Sequence, residues 1–339
     1  MKIIAILRIC FILSFAFSSV QAQEFKLVKT LYNQHDAYNI CFSPNGKFFA
    51  VSSDEETSIY SLPDFGVVKK LVGPYNYYMS FSPFSNYFSC VNNKDNQVRV
   101  YRLPTFQLIK TLTNPSKNDL IKLRRINFDK KERFIEITTE AIIELFSLPN
   151  LEIVKTFVDI NNTSSIVRER DYSQNGKYFA AINSRFIVEI YSIEDYELVE
   201  GLKFPSEMPR SLCFSPDGKF LAVQTEDFEP NKTIGDIPTF QASKTKFYSM
   251  PEIKLVRTLL DNSEVVPSIF SPDGRLFVSV AHSENIVKVY SLPEFKLFKA
   301  ITDHTDFVRA IAFSENGQYF ASAAQDKKVN IYRVTSAFE

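Results

Sequence analysis

The chain has 339 residues, 45% of them hydrophobic, enough for one large core or two ordinary domains. Its 39 basic and 39 acidic side chains cancel, which excludes a net field drawing it to nucleic acid or an anionic membrane. Tryptophan is absent and only nine glycines occur, so the place of each glycine is informative.

At the N-terminus, Lys2 and Arg8 supply positive charge and Ile9 to Phe17 (ICFILSFAF) forms a short apolar run. Ser18-Ser19-Val20-Gln21-Ala22 then offers the small residues of a cleavage site. Residues 1–22 read as a signal peptide, leaving residues 23–339 as one exported domain, periplasmic or extracellular. The run is short for a membrane span, and an uncleaved anchor is the alternative reading. Three cysteines remain in the mature chain, Cys41, Cys90 and Cys213, each in an apolar strand pattern. They read as buried thiols rather than a disulfide framework. His35, His282 and His304 are scattered, so no metal-ligand spacing exists and no cofactor is expected.

Downstream, one turn recurs: Phe42-Ser-Pro-Asn-Gly46, Phe81-Ser-Pro83, Phe128-Asp129, Tyr172-Ser-Gln-Asn-Gly176, Phe214-Ser-Pro-Asp-Gly218, Phe270-Ser-Pro-Asp-Gly274 and Phe313-Ser-Glu-Asn-Gly317. Five of the nine glycines follow Asn or Asp here, because a tight reversal needs a positive φ. Copies lie about 40 to 56 residues apart, near the period of a four-stranded propeller blade. Each is followed by an apolar run such as KFFAVSS (47–53), then a strand ending in an aromatic: Tyr60, Tyr101, Phe146, Tyr191, Tyr248, Tyr290 or Tyr332. A second turn, Leu-Pro or Met-Pro, leads into an alternating strand. Runs bounded by Pro and Asn/Asp-Gly argue for an all-β chain. The seventh copy stops soon after Tyr332, and Glu24 to Leu31 (EFKLVKTL) echoes the EFKLFKAI of residues 294–301. The expected fold is a seven-bladed β-propeller of four-stranded blades, its ring closed by the N-terminal strand completing the last blade.

The last copy, with His304-Thr-Asp306, Val308 and AIAFSENGQYFASAAQDKKVNIY (310–332), resembles the WD-repeat propeller family. That resemblance implies a buried hydrogen-bond network of His304, Ser322, Asp326 and Tyr332 that stabilises the blade. Tyr or Phe replaces the family's tryptophan in all seven copies, and the aspartate of its dipeptide is Ser or Arg. His35, Ser52 and Asp54 form a looser second set. The chain is also similar to bacterial propellers built on F-S-P-D-G turns.

The resemblance also implies that loops opposite the F-S-P-D-G turns carry binding. Four residues before the aromatic of each innermost strand stand Tyr38, Tyr77, Arg124, Arg168, Arg210, Val266 and Arg309. Arginine forks match carboxylate and phosphate, and tyrosine offers a flat face with a hydroxyl. Tyr38, Tyr77, Arg124, Arg168, Arg210 and Arg309 are therefore the candidate ring for a protein, peptide or glycan partner of acidic character. The local alternative is that long stems snorkel to solvent at strand ends. Glu226 to Ser243 inserts about 14 residues between second and third strands of the fifth copy, on the same face. Asp119 to Arg133 lacks a Pro or Gly turn and reads as a solvated charged rim. No phosphate loop or nucleophile elbow occurs. The expected function is a non-catalytic exported scaffold; the alternative is a hydrolase or lactonase-like propeller acting in its channel.

Overall fold

The computed structural model describes residues 23–336 except 74–77, 93–94, 96, 114–122, 140–141, 159–168, 184, 196, 235–236, 262–266 and 282–283. The leader read in residues 1–22 lies outside them, as do Tyr77 and Arg168. Among the described residues, 28 strands form seven four-stranded antiparallel sheets arranged as a ring. Blade 1 comprises Ala37–Phe42, Phe48–Ser53, Glu56–Ser61 and Val67–Val72, from the axis outward. Blade 7 takes three strands from the C-terminal end and its outermost, Gln23–Tyr32, from the N-terminal end.

That closing strand stands where the echo placed it. Phe25 pairs with Val334, Leu27 with Tyr332 and Leu31 with Val329, with a bulge between Leu27 and Lys29. The chain is thus an all-β propeller without an open seam in its ring, and both ends must be in place for blade 7 to exist.

Antiparallel order fixes two faces. Connections between first and second strands, and between third and fourth, share one end of every blade, the turn face. Connections between second and third strands, and those entering the innermost strand, share the loop face. At the turn face, Ser43 Oγ donates to Asn45 Oδ1 (2.8 Å) and accepts from the Phe48 amide (2.8 Å). The same Ser–Asn/Asp bond recurs at Ser173–Asn175, Ser215–Asp217, Ser271–Asp273 and Ser314–Asn316. These serines are buried, and the acid or amide two residues on satisfies a hydroxyl that would otherwise be orphaned. Gly46, Gly176, Gly218, Gly274 and Gly317 follow at φ between 66° and 71°. Blades 2 and 3 reach the same conformation without glycine, at Ser85 (φ 56°) and Glu132 (φ 54°).

The Leu-Pro turns hold a feature that their local chemistry does not announce. Two residues after the proline, Phe65, Phe106, Leu151, Ile253 and Phe295 all have φ between 51° and 58°. A left-handed residue other than glycine costs about 1–2 kcal/mol. Each of these side chains is aimed into the preceding blade: Phe106 meets Phe48 at 5.2 Å, Phe295 meets Phe220 at 5.6 Å, and Phe65 meets Tyr319 at 6.0 Å. Burying one phenylalanine contributes about 1.5–3 kcal/mol, enough to offset the strain. Leu151 and Ile253 pack in the same way on the cores of blades 2 and 4.

Phe25 occupies this plug position for blade 7. It lies 3% exposed, 5.6 Å from Phe320 and 6.4 Å from Phe313, in a cluster with Leu276 and Val278 of blade 6. A lysine on the neighbouring outermost strand grips the plug's carbonyl: Lys299 Nζ reaches Phe25 O (2.9 Å) as Lys110 Nζ reaches Leu151 O (2.7 Å). The N-terminal strand therefore supplies a strand, a plug and a latch point together.

Candidate functional site

The structure places the loop-face candidates in equivalent positions and gives a reason for their recurrence. Tyr38, Arg124, Arg210 and Arg309 each fall where the innermost strand skips register, between Ala37 and Asn39, Leu123 and Arg125, Pro209 and Ser211, and Val308 and Ala310. A bulge turns its extra residue out of the ladder and re-aims the side chain. Of the side chains described, Arg309 is exposed while Tyr38 and Arg210 are half-buried.

The two arginines with described side chains already hold partners. Arg210 Nε lies 2.8 Å from Glu226 Oε2, on a carboxylate that is itself almost buried. Arg309 is exposed and donates to the side-chain carbonyl of Gln325 once that amide is oriented to accept. Gln325 in turn is fixed through its backbone amide to Phe307 O (2.9 Å). Spacing could reveal the bulges, but the partners come from other strands and had no signal in the local pattern.

Where the sequence led us to expect a long loop in blade 5, the strands instead run on. Phe220–Ile234 and Ile237–Ser249 form one extended hairpin, with Phe228 opposite Phe240 and Ile234 opposite Ile237. The flanking strands stop pairing at Asp227 and Ser243, so the outer part is a two-stranded ribbon with both edges open. Its base is a dense ion-pair cluster. Lys246 Nζ meets Glu207 Oε2 at 2.7 Å, Lys244 Nζ meets Asp227 Oδ1 at 2.5 Å, and Thr225 donates to Glu207 at 2.7 Å. Burial pushes the Glu207 carboxyl up, but the bonds from Lys246 and Thr225 outweigh it and hold the group below its ordinary value. Hydrogen bonding to Asp227 leads the rise of Lys244 above its own.

In blade 7, His304 Nε2 lies 2.8 Å from Ser322 Oγ, and its Nδ1 lies 3.1 Å from Asp326. Asp326 also accepts from the amides of Thr305 and Lys328, both at 3.0 Å. Asn330 Nδ2 is 3.5 Å from His304 Nε2, and Thr30 of the closing strand donates to Asn330 Oδ1 at 2.9 Å. Tyr332, standing in the family's tryptophan position, donates to Asp303 at 2.8 Å and also meets the Ser322 and Asn330 side chains. Burial, then the bond to Asp303, raises its hydroxyl well above the ordinary tyrosine value. The looser second set does not assemble in that way: His35 meets Glu55 at 3.3 Å, and Ser52 donates to the Asn39 carbonyl at 3.4 Å. The buried acid Glu144, raised by its burial, sits on the third strand of blade 3 beside Thr156 rather than on the innermost strand.

The WD domain, G-beta repeat model matches residues 25–61 and 295–333. Each match begins in an outermost strand and ends in the third strand of the following blade, so the sequence repeat is offset by one strand from the structural blade. Both matches adjoin the closure, where the plug phenylalanines Phe25 and Phe295 open the unit. No curated protein matches the chain. Two matched units flank the closure of a ring of seven blades, and together they support a WD-repeat-like β-propeller family.

Proposed function

We propose that the chain is a non-catalytic exported scaffold that holds a protein or peptide partner on its loop face. Propellers of this family commonly serve as protein-interaction scaffolds, and fold alone leaves the partner open. The observation that carries the reading is the blade 5 ribbon. Beyond Asp227 at its ion-paired base it runs on to Ile234, roughly 20 Å, with two unpaired edges. A two-stranded ribbon is marginal in water by itself, and an open edge is a template for a partner's strand. The bulge residues Tyr38, Arg124, Arg210 and Arg309 lie on the same face and would frame the bound chain. Export rests on the leader read in residues 1–22.

The test replaces residues 228–242 by a short turn between Asp227 and Ser243, leaving the Lys244 and Glu207 pairs intact. Capture from the envelope or culture fluid, quantified by mass spectrometry, should lose its specific partner while the melting temperature stays unchanged. Arg309→Glu should weaken the same capture. Partner recovery that survives both changes would remove the loop face from consideration, and capture of a glycan alone would replace the protein reading.

A further inference from the structure

Seven copies of one unit provide an internal control: what the fold needs recurs, and what departs from the repeat needs another reason. On the turn face, three departures converge on one cavity. Phe84 stands where Asn45, Asn175, Asp217, Asp273 and Asn316 bond their own serines, yet it makes no such bond and lies 64% exposed. Tyr172 stands where the other innermost strands end in a phenylalanine that is mostly buried, yet it is 51% exposed. Glu315 is exposed and, like Lys130 and Gln174, stands where the other turns have proline. An apolar ring in solvent contributes nothing to a turn that asparagine would close.

All three line a cavity of about 1020 Å³ that opens at the turn face and runs between blades 3 and 4. The aromatic walls are held in place from behind. Tyr172 packs on Phe179 at 4.7 Å. Glu132 of blade 3 accepts from the Phe84 amide (3.3 Å) and from Asn86 Nδ2 (2.6 Å), fixing the turn that carries Phe84.

The charged groups of the floor already bind within the protein. Asp171 accepts from the amides of Tyr172 and Phe214, each at 2.8 Å. Arg170 pairs with Glu136, and Asp129 accepts from Phe134 (2.7 Å) and from Arg133. A ligand here meets ring faces more than open acceptors, so an ordinary peptide would bury its N–H groups at a cost. A proline-rich segment has few such groups and a preformed extended shape, and its rings lie flat on aromatic faces. At the rim, Lys130 of blade 3 and Glu315 of blade 7 carry opposite charge. They match a segment with an acid at one end and a base at the other.

We propose that this turn-face cavity is a docking site for a proline-rich segment of a partner protein, seated on Phe84 and Tyr172 with its charged flanks at Lys130 and Glu315. The site is on the opposite face from the blade 5 ribbon and stands independently of the scaffold reading above.

Calorimetry on the full mature chain tests it with a synthetic peptide of alternating proline and leucine, flanked by one glutamate and one lysine. Phe84→Asn restores the residue that the repeat uses, so it should keep or raise the melting temperature while weakening binding roughly ten-fold or more. Phe84→Tyr should restore binding. Equal affinity of Phe84→Asn and the parent chain would overturn the proposal, as would no binding at millimolar peptide. A melting temperature lowered by Phe84→Asn would make Phe84 a structural residue and remove the premise. Equal binding of a peptide with alanine in place of every proline would overturn the assigned occupant.

Discussion

Replacing Phe25 by alanine should loosen the whole ring, although the residue stands at the start of the ring-closing strand. Its side chain is 3% exposed and lies edge-on to Phe320, between strands of blades 6 and 7. Truncating a buried phenylalanine costs about 3–5 kcal/mol, least where neighbours can collapse into the space. Here Leu276, Phe313 and Phe320 belong to separate strands, each pinned by its own ladder, which favours the upper half of that range. For a chain of this size the loss corresponds to a melting temperature lowered by roughly 6–8 °C. Leu27→Ala on the same strand is the control: the side chain is 45% exposed, and the expected change is within about 0.5 kcal/mol. Limited trypsin digestion separates closure from local packing. Lys26 and Lys29 pair opposite Arg333 and Ile331, so opening one strand frees the other. In Phe25→Ala, cuts at Lys26, Lys29 and Arg333 should therefore rise together. Equal melting shifts for the two variants, or N-terminal cuts with Arg333 still protected, would refute the closure.

The base of the blade 5 ribbon should be sensitive to acid. Glu207 titrates below its ordinary 4.5 in the folded chain, so its stabilisation is complete above that value and is lost as pH falls through the lower, folded one. Hydrogen exchange at Lys244 and Lys246 should quicken across that window, and Glu207→Gln should flatten the dependence; an unchanged profile would count against the cluster. The thiols should be inert: burial pushes Cys90 up to about 12 and raises Cys41 and Cys213 as well. Iodoacetamide at pH 8 should leave all three unlabelled until denaturant is added, read by intact mass.

Much of the architecture was legible because its signals are local. A glycine after Asn or Asp, a Leu-Pro pair and an alternating strand each state their own conformation, and seven repetitions leave one arrangement. The plugs were not legible for the opposite reason. Local preference argues against a left-handed Phe106 or Leu151, and only a neighbouring blade makes that conformation favourable. The same division runs through the site. Spacing identified Arg210 and Arg309 as equivalents, since the bulge is a property of the strand, but Glu226 and Gln325 reach them across turns whose geometry the sequence does not state. Pro230 and Pro238 stand inside the two strands of the fifth copy's ribbon, where proline removes a ladder donor. A ribbon with open edges tolerates them, because a residue facing away from the partner strand needs no ladder bond.

Repetition also sharpens what an exposed apolar residue means. Every outermost strand carries exposed apolar residues beside its bulge, as in Leu27-Val28, Val67-Val68, Ile153-Val154, Leu198-Val199 and Leu255-Val256. Because these recur in register around the circumference, they belong to the blade. The bulge beside them twists an edge that would otherwise invite pairing, a use of irregularity that ring proteins share with other sheets. Phe84 and Tyr172 are exposed to a similar degree but recur nowhere in the ring, and they fall on one cavity. The break in the pattern, more than exposure itself, marks the site. It follows that restoring the pattern, as Phe84→Asn does, is a cleaner perturbation than deleting a side chain: the fold's own solution is known from five other turns, so a loss of binding without a loss of stability can be assigned to the ring alone.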